Sequence, residues 1–123
     1  MSRSFCHVEI IGRDPGRLRA FYAELFGWDY QVGDPATTTV SEAGNYGFLA
    51  SAADAVNGGV AGGESFEPRV VVYVSVDDVE ATLAAAERLG GTRRMGPEGA
   101  PGGLIVGHLT DPEGNLIGLA GPK

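Results

Sequence analysis

Two residues near the start of the chain are of types that move protons. His7 and Glu9 stand two positions apart in the apolar run "FCHVEIIG". In a β-strand alternate residues share a face, about 6.5–7 Å apart at Cα. Phe5, His7, Glu9 and Ile11 therefore point one way, and Cys6, Val8 and Ile10 the other. If the first face lines a cavity, the imidazole and carboxylate are candidates for general acid–base chemistry. A partly desolvated carboxylate binds its proton more tightly, and an imidazole beside it is expected to be held charged. The other histidine, His108, lies in "GLIVGHLTDP", where alternation sets it on the face opposite Leu109. In "VVVYVSV" the same rule sends Val70, Val72, Val74 and Val76 to one face, and Val71, Tyr73 and Ser75 to the other.

The elements that must position these residues come in two similar halves. Val8, Ile10 and Asp14 correspond to Val72, Val74 and Asp78, and each half reads as a strand, a helix and further strands. In the first half Asp14 can cap a helix that Pro15 begins and Gly27 ends, with Leu18, Phe21, Tyr22, Leu25 and Phe26 at helical spacing. In the second, Asp77 and Glu80 form a D-x-x-E capping pattern, Val79, Leu83 and Ala86 make a thinner apolar stripe, and Gly90-Gly91 closes it. Further strands are expected in "WDYQV" (28–32), "TTTVS" (37–41) and "YGFLA" (46–50), then in "TRRM" (92–95), "GLIVGHLT" (103–110) and "NLIGLA" (115–120). "DPEGN" (111–115) reads as a tight turn, because Pro112 presets φ and Gly114 accepts positive φ. The glycine-rich stretch 52–68 fits neither phosphate-binding glycine pattern and reads as a linker or flap between module 1 (about 5–51) and module 2 (about 69–120).

Length and charge narrow the partners. A chain of 123 residues with 43% apolar content suits one domain over 1–123, and a formal charge of −7 disfavours nucleic acid and anionic lipid. No stretch approaches a membrane span, and "MSRSF" lacks the pattern of a secretory signal. Cys6, the single cysteine, reads as a small buried hydrophobe. A cytoplasmic location is the expectation.

With "H-x-E" on the first strand, "AFYAELFGW" on the first helix, "VDDV" opening the second and "DPEGN" before the last strand, the chain resembles the vicinal oxygen chelate superfamily over about residues 5–120. That superfamily includes glyoxalase I, extradiol dioxygenases, methylmalonyl-CoA epimerase and the bleomycin resistance proteins, and the chain looks most like its single-domain, glyoxalase-like members. The resemblance implies an α+β fold: two βαβββ modules forming an open, curved mixed β-sheet barrel, with helices on the convex side and a ligand cavity on the concave side. His7 and Glu9 would then face the cavity, as would Val71, Tyr73, Ser75 and His108. Superfamily members commonly complete their cavities through a partner copy, so a homodimer is expected.

In metal-dependent members, the resemblance implies ligands from the first and last strands of each half. Here only His7 stands at such a position: Val71 occupies the second-half counterpart, and Gly118 stands where an acidic residue is usual. A stable divalent site wants three or four protein donors, so no metal cofactor is expected. A rebuilt site from His7, Glu9 and His108 has suitable residue types, but ordinary hydrogen bonding in a polar pocket is the simpler reading. Without a Lewis acid, glyoxalase I activity is not the first choice. Two functions remain in view. One is a metal-independent isomerase or lyase in which His7 and Glu9 are catalytic on a small oxygenated molecule and Tyr73, His108, Val71 and Ser75 bind it. The other is a non-catalytic protein that sequesters a drug or natural product, as bleomycin resistance proteins do, with Trp28 and Tyr30 as further aromatic walls or as core packing.

Overall fold

The computed structural model describes residues 3–49, 56–100 and 102–123. Contacts divide the chain into two units, one spanning His7–Val70 and the other Val71–Lys123 together with the N-terminal residues to Cys6. Each carries the β-α-β-β-β plan, so the protein is an α+β chain of two such modules.

In the His7–Val70 unit the elements are β1 (Phe5–Gly12), α1 (Pro15–Phe26), β2 (Gln31–Gly33), β3 (Tyr46–Leu49) and β4 (Asn57–Gly62). The sheet order is β2-β3-β4-β1, with β1 and β4 parallel and the other pairs antiparallel. The ends of α1 follow from its sequence: the Asp14 carboxylate accepts from the Arg17 backbone N–H, Pro15 opens the helix, and Gly27 closes it at φ 72° with its N–H donating to Ala23 O.

Two expectations for this half need correction. The stretch 52–68 is not simply a linker, because Asn57–Gly62 forms β4, the strand between β1 and β3; residues 52–55 lie outside the described residues. Its glycines serve close packing. At Gly62, with φ 126°, a Cβ would come within 2.1 Å of Gly12 O. "TTTVS" is a turn instead of a strand: Val40 N–H donates to Thr37 O, and the buried Ser41 hydroxyl accepts from Gly62 N–H, which fastens this loop to the end of β4. β-Propensity here yields to side-chain–backbone bonding, the usual competitor at Ser and Thr. Pairing in "WDYQV" begins only at Gln31, and residue 50 of "YGFLA" is outside the described residues.

The second unit contains β5 (Arg69–Ser75) from Val71 onward, its first two residues belonging to the His7–Val70 unit, then α2 (Val79–Arg88), β6 (Thr92–Glu98), β7 (Ile105–Thr110) and β8 (Leu116–Gly121) in the order β5-β8-β7-β6. The cap of α2 is Asp78, whose carboxylate accepts from Ala81 N–H; the expected Asp77 lies one residue too early. Side-chain alternation holds through this unit. Val76, Val79, Leu83 and Leu119 pack with Val74, Ile105 and Leu109 on the α2 side, while Val71, Tyr73, Val106 and Ala120 form the opposite cluster with Cys6, Met95 and Leu116. Leu83 is fully buried, so truncating it to alanine would cost about 2–5 kcal/mol. The "DPEGN" turn forms as read: Asp111 Oδ1 accepts from the N–H groups of Glu113 and Asn115, and Gly114 takes φ 92°. Among the described residues no helix is long and apolar enough to cross a membrane.

Candidate functional site

The face of β1 that carries His7 and Glu9 is joined by a third polar side chain from β3. Tyr46 Oη lies 2.6 Å from His7 Nε2 and donates to Glu9 Oε2 at 2.8 Å. With the hydroxyl proton on the Glu9 side, the tyrosine oxygen accepts from His7 Nε2–H, which sets the tautomer of the ring. The result is a continuous hydrogen-bonded chain from imidazole through phenol to carboxylate. Its two ends differ in environment: Glu9 is 2% exposed, whereas His7 is half-buried. His7 also stacks against Tyr46 and Phe48, at centroid distances of 6.2 and 6.1 Å.

Position follows from strand alternation and from one missing side chain. Tyr46 and Phe48 share a face of β3, while Gly47 between them turns to the other face, where the Arg19 side chain covers it. Gly59 on β4 sits opposite Glu9 on β1 and Phe48 on β3. A Cβ at Gly59 would fall 2.3 Å from Tyr46 Oη, so the tyrosine ring occupies the space that glycine leaves. The hydroxyl is thereby brought between His7 and Glu9.

Glu9 beside it could hold His7 charged, but burial pushes the imidazole the other way, below the usual value of 6.5, which favours the neutral form at neutral pH. A neutral, half-buried imidazole can accept a proton, as a base requires.

The second unit repeats the arrangement with different chemistry. Tyr73 on β5 and His108 on β7 flank Gly118 on β8, and Tyr73 Oη bonds His108 Nε2 at 2.8 Å. A Cβ at Gly118 would fall 2.5 Å from Tyr73 Cδ2. The tyrosine ring thus fills the space where an acidic side chain would project. Of the residues expected to bind ligand, Tyr73 and His108 are each 2% exposed, as Glu9 is, Val71 is fully buried and Ser75 is half-buried. The reason is packing: Val71 and Tyr73 meet Val106 and Ala120 in one apolar cluster. Trp28 stacks on Tyr22 at 5.3 Å and leans on Phe26, while the Tyr30 ring lies beside Gly47, so both belong with α1 and not with His7.

Val71 and Gly118 offer no donor atom, His7 Nε2 is engaged by Tyr46, and no group of three His, Cys, Asp or Glu side chains among the described residues is arranged to hold an ion.

Tyr46 was not singled out in the sequence. The signal available was the alternation "Y-G-F", which puts two aromatics on one face. That alternation says nothing about which face until Gly59 shows where a ring can lie.

The sequence profile described as "Glyoxalase-like domain" matches residues 7–120. No protein of curated function matches the chain significantly. Among solved structures, the hypothetical protein BH1468 from Bacillus halodurans C-125 is similar at TM-score 0.71 and 15% identity, covering 100% of this chain and 96% of that one. A Streptomyces coelicolor methylmalonyl-CoA epimerase variant in complex with 2-nitronate-propionyl-CoA is similar at TM-score 0.71 and 16% identity, over 98% and 95%. The Mn(II)-bound glyoxalase from Novosphingobium aromaticivorans gives TM-score 0.64 and 24% identity, over 99% of this chain and 40% of that chain. These likenesses are likenesses of fold.

Proposed function

The chain belongs to the glyoxalase-like domain family of the vicinal oxygen chelate superfamily, and from that premise we propose that it is a metal-independent enzyme of isomerase or lyase type. In this reading it moves a proton on a small oxygenated organic molecule. The observation that carries the proposal is the chain His7 Nε2–Tyr46 Oη–Glu9 Oε2. When the neutral imidazole takes a proton from substrate at its other nitrogen, Nε2–H can pass to Tyr46 Oη as the phenol proton moves to Glu9 Oε2. The positive charge is then not left on a desolvated ring, and the proton resides on a buried carboxyl. Reversal returns it to a neighbouring atom of the substrate, which is an isomerisation, or leaves it there while a group departs, which is a lyase step.

The epimerase among the structural neighbours acts on a small-molecule thioester by name, and a substrate with an activated C–H next to a carbonyl suits the same reading here. We also propose a homodimer, supported by the exposed Leu25 and Phe26 on α1 and Val32 on the edge strand β2. Incubation with a panel of 2-hydroxy and 2-oxo acids and their thioesters tests the function. Product that forms with the native chain and disappears with Glu9→Gln supports an enzyme. Saturable binding of a compound that always emerges unchanged supports a sequestering protein instead.

A further inference from the structure

Among the described residues, a cavity lies outside the proton-transfer reading. It lies at the C-terminal end of β1, beside the first half of α1 and residues 68–70, has a volume of about 670 Å3 and includes none of His7, Tyr46 or Glu9. Ile10, which alternation puts on the face opposite His7 and Glu9, lines it together with Leu18, Phe21 and Tyr22. That apolar, partly aromatic wall is ringed by Arg13, Arg17 and Arg69.

Three guanidinium groups here are a concentration of charge in a chain whose Lys and Arg number only nine against 16 acidic residues. They are not equally engaged. Arg13 is ion-paired with Glu67. Among the described residues the side chains of Arg17 and Arg69 meet no carboxylate, and the Nε–H of Arg69 is both shut off from solvent and without an acceptor. The only acidic residue on the lining, Asp14, is committed to the Arg17 backbone N–H as the helix cap. Guanidinium groups match carboxylates and phosphates in particular, because their N–H pairs meet two oxygens at once.

We propose that this cavity is a second binding site, for a small amphipathic anion: an alkyl or aromatic body against Ile10, Leu18 and Phe21, and a carboxylate or phosphate head held by Arg69 and Arg17. The volume falls within the range of about 300–1,000 Å3 usual for sites that enclose small organic ligands. The site shares no residue with the proposed chemistry at His7.

Titration calorimetry with three probes tests this: 4-phenylbutyrate, the phosphate monoester of 4-phenylbutanol, and the uncharged 4-phenylbutyramide. At least one anion should bind saturably at one per chain, and the amide at least about tenfold more weakly. A preference between carboxylate and phosphate identifies the natural head group. Arg69→Gln and Arg17→Gln should each weaken binding about tenfold, and Arg17 is exposed, so its variant tests the site even where Arg69→Gln folds poorly. Tyr46→Phe should leave the affinity unchanged. Equal binding of anion and amide, unchanged affinity in both arginine variants, or loss of binding in Tyr46→Phe would overturn the proposal.

Discussion

Replacing Gly59 with alanine adds one methyl group at a place where the structure has no room for it. The new Cβ would stand 2.3 Å from Tyr46 Oη, 2.5 Å from Cζ and 2.6 Å from Cε1. Gly59 is not among the glycines with positive φ, so the backbone accepts alanine and the effect is steric. The ring must withdraw by about 1 Å to reach ordinary contact, and hydrogen bonds of 2.6 and 2.8 Å cannot both survive that movement with good geometry. Losing a hydrogen bond to a carboxylate costs about 1.5–3 kcal/mol, while alanine in a strand recovers about 0.5–1 kcal/mol of backbone entropy. The net loss is about 1–2 kcal/mol, or roughly 3–10 °C in Tm for a chain of this size. Urea unfolding measures it directly. The control is Gly58→Ala, whose Cβ would meet Val8 O at 3.4 Å and Leu49 Cδ2 at 3.6 Å, ordinary contacts that leave the backbone-entropy gain intact and predict a stabilisation of about 0.5–1 kcal/mol. In the background of Tyr46→Phe, which has already lost the hydroxyl, Gly59→Ala should cost less than it does alone. Equal effects at 58 and 59, or full additivity with Tyr46→Phe, would refute the claim that Gly59 exists to seat the Tyr46 hydroxyl.

Burial of His7 implies a pH dependence. Its folded-state value lies below 6.5, so the unfolded chain binds the proton more readily and the stability from neutral His7, fully present above 6.5, is lost as pH falls. The urea midpoint should drop as pH falls through and below 6.5, and His7→Gln should remove that part of the drop. Light scattering at micromolar concentration should give about twice the 12.7 kDa of one chain, and the monomer mass would reject the dimer. Tag-free protein should hold well under one equivalent of zinc, nickel or iron, with Tm unchanged by a chelator. One equivalent per chain that is lost in His7→Ala would instead point to a rebuilt site using Glu9.

Local signals that agreed with one another were readable in the sequence. The cap, apolar stripe and closing glycine of α1 all point to the same helix, and "DPEGN" combines proline and glycine at the places its turn demands. The faces of β1 and β5 followed from alternation alone. What was not legible depended on contacts between distant segments. Residues 57–62 look like a linker by composition, yet Gly59 and Gly62 are small because Tyr46 and Gly12 come close to them. "TTTVS" has strand composition, but Ser41 is held by Gly62. The site was half legible for the same reason. His7 and Glu9 could be paired from their spacing, whereas the Tyr46 hydroxyl that joins them arrives from β3 and needs the register of three strands to be known. The charge of His7 was not legible, because the sequence shows its neighbour in the strand but not the desolvation around it.

The most direct test of the central claim is solvent deuterium exchange. Native protein in D2O, given 2-hydroxy and 2-oxo acids and their thioesters, should wash deuterium into the carbon next to the carbonyl of its substrate, followed by proton NMR. Tyr46→Phe leaves the ring but cuts the link between His7 and Glu9, and it should lower the exchange rate by about 100-fold or more while ligand binding persists. Exchange that continues at the native rate in both Tyr46→Phe and Glu9→Gln would contradict the proton chain.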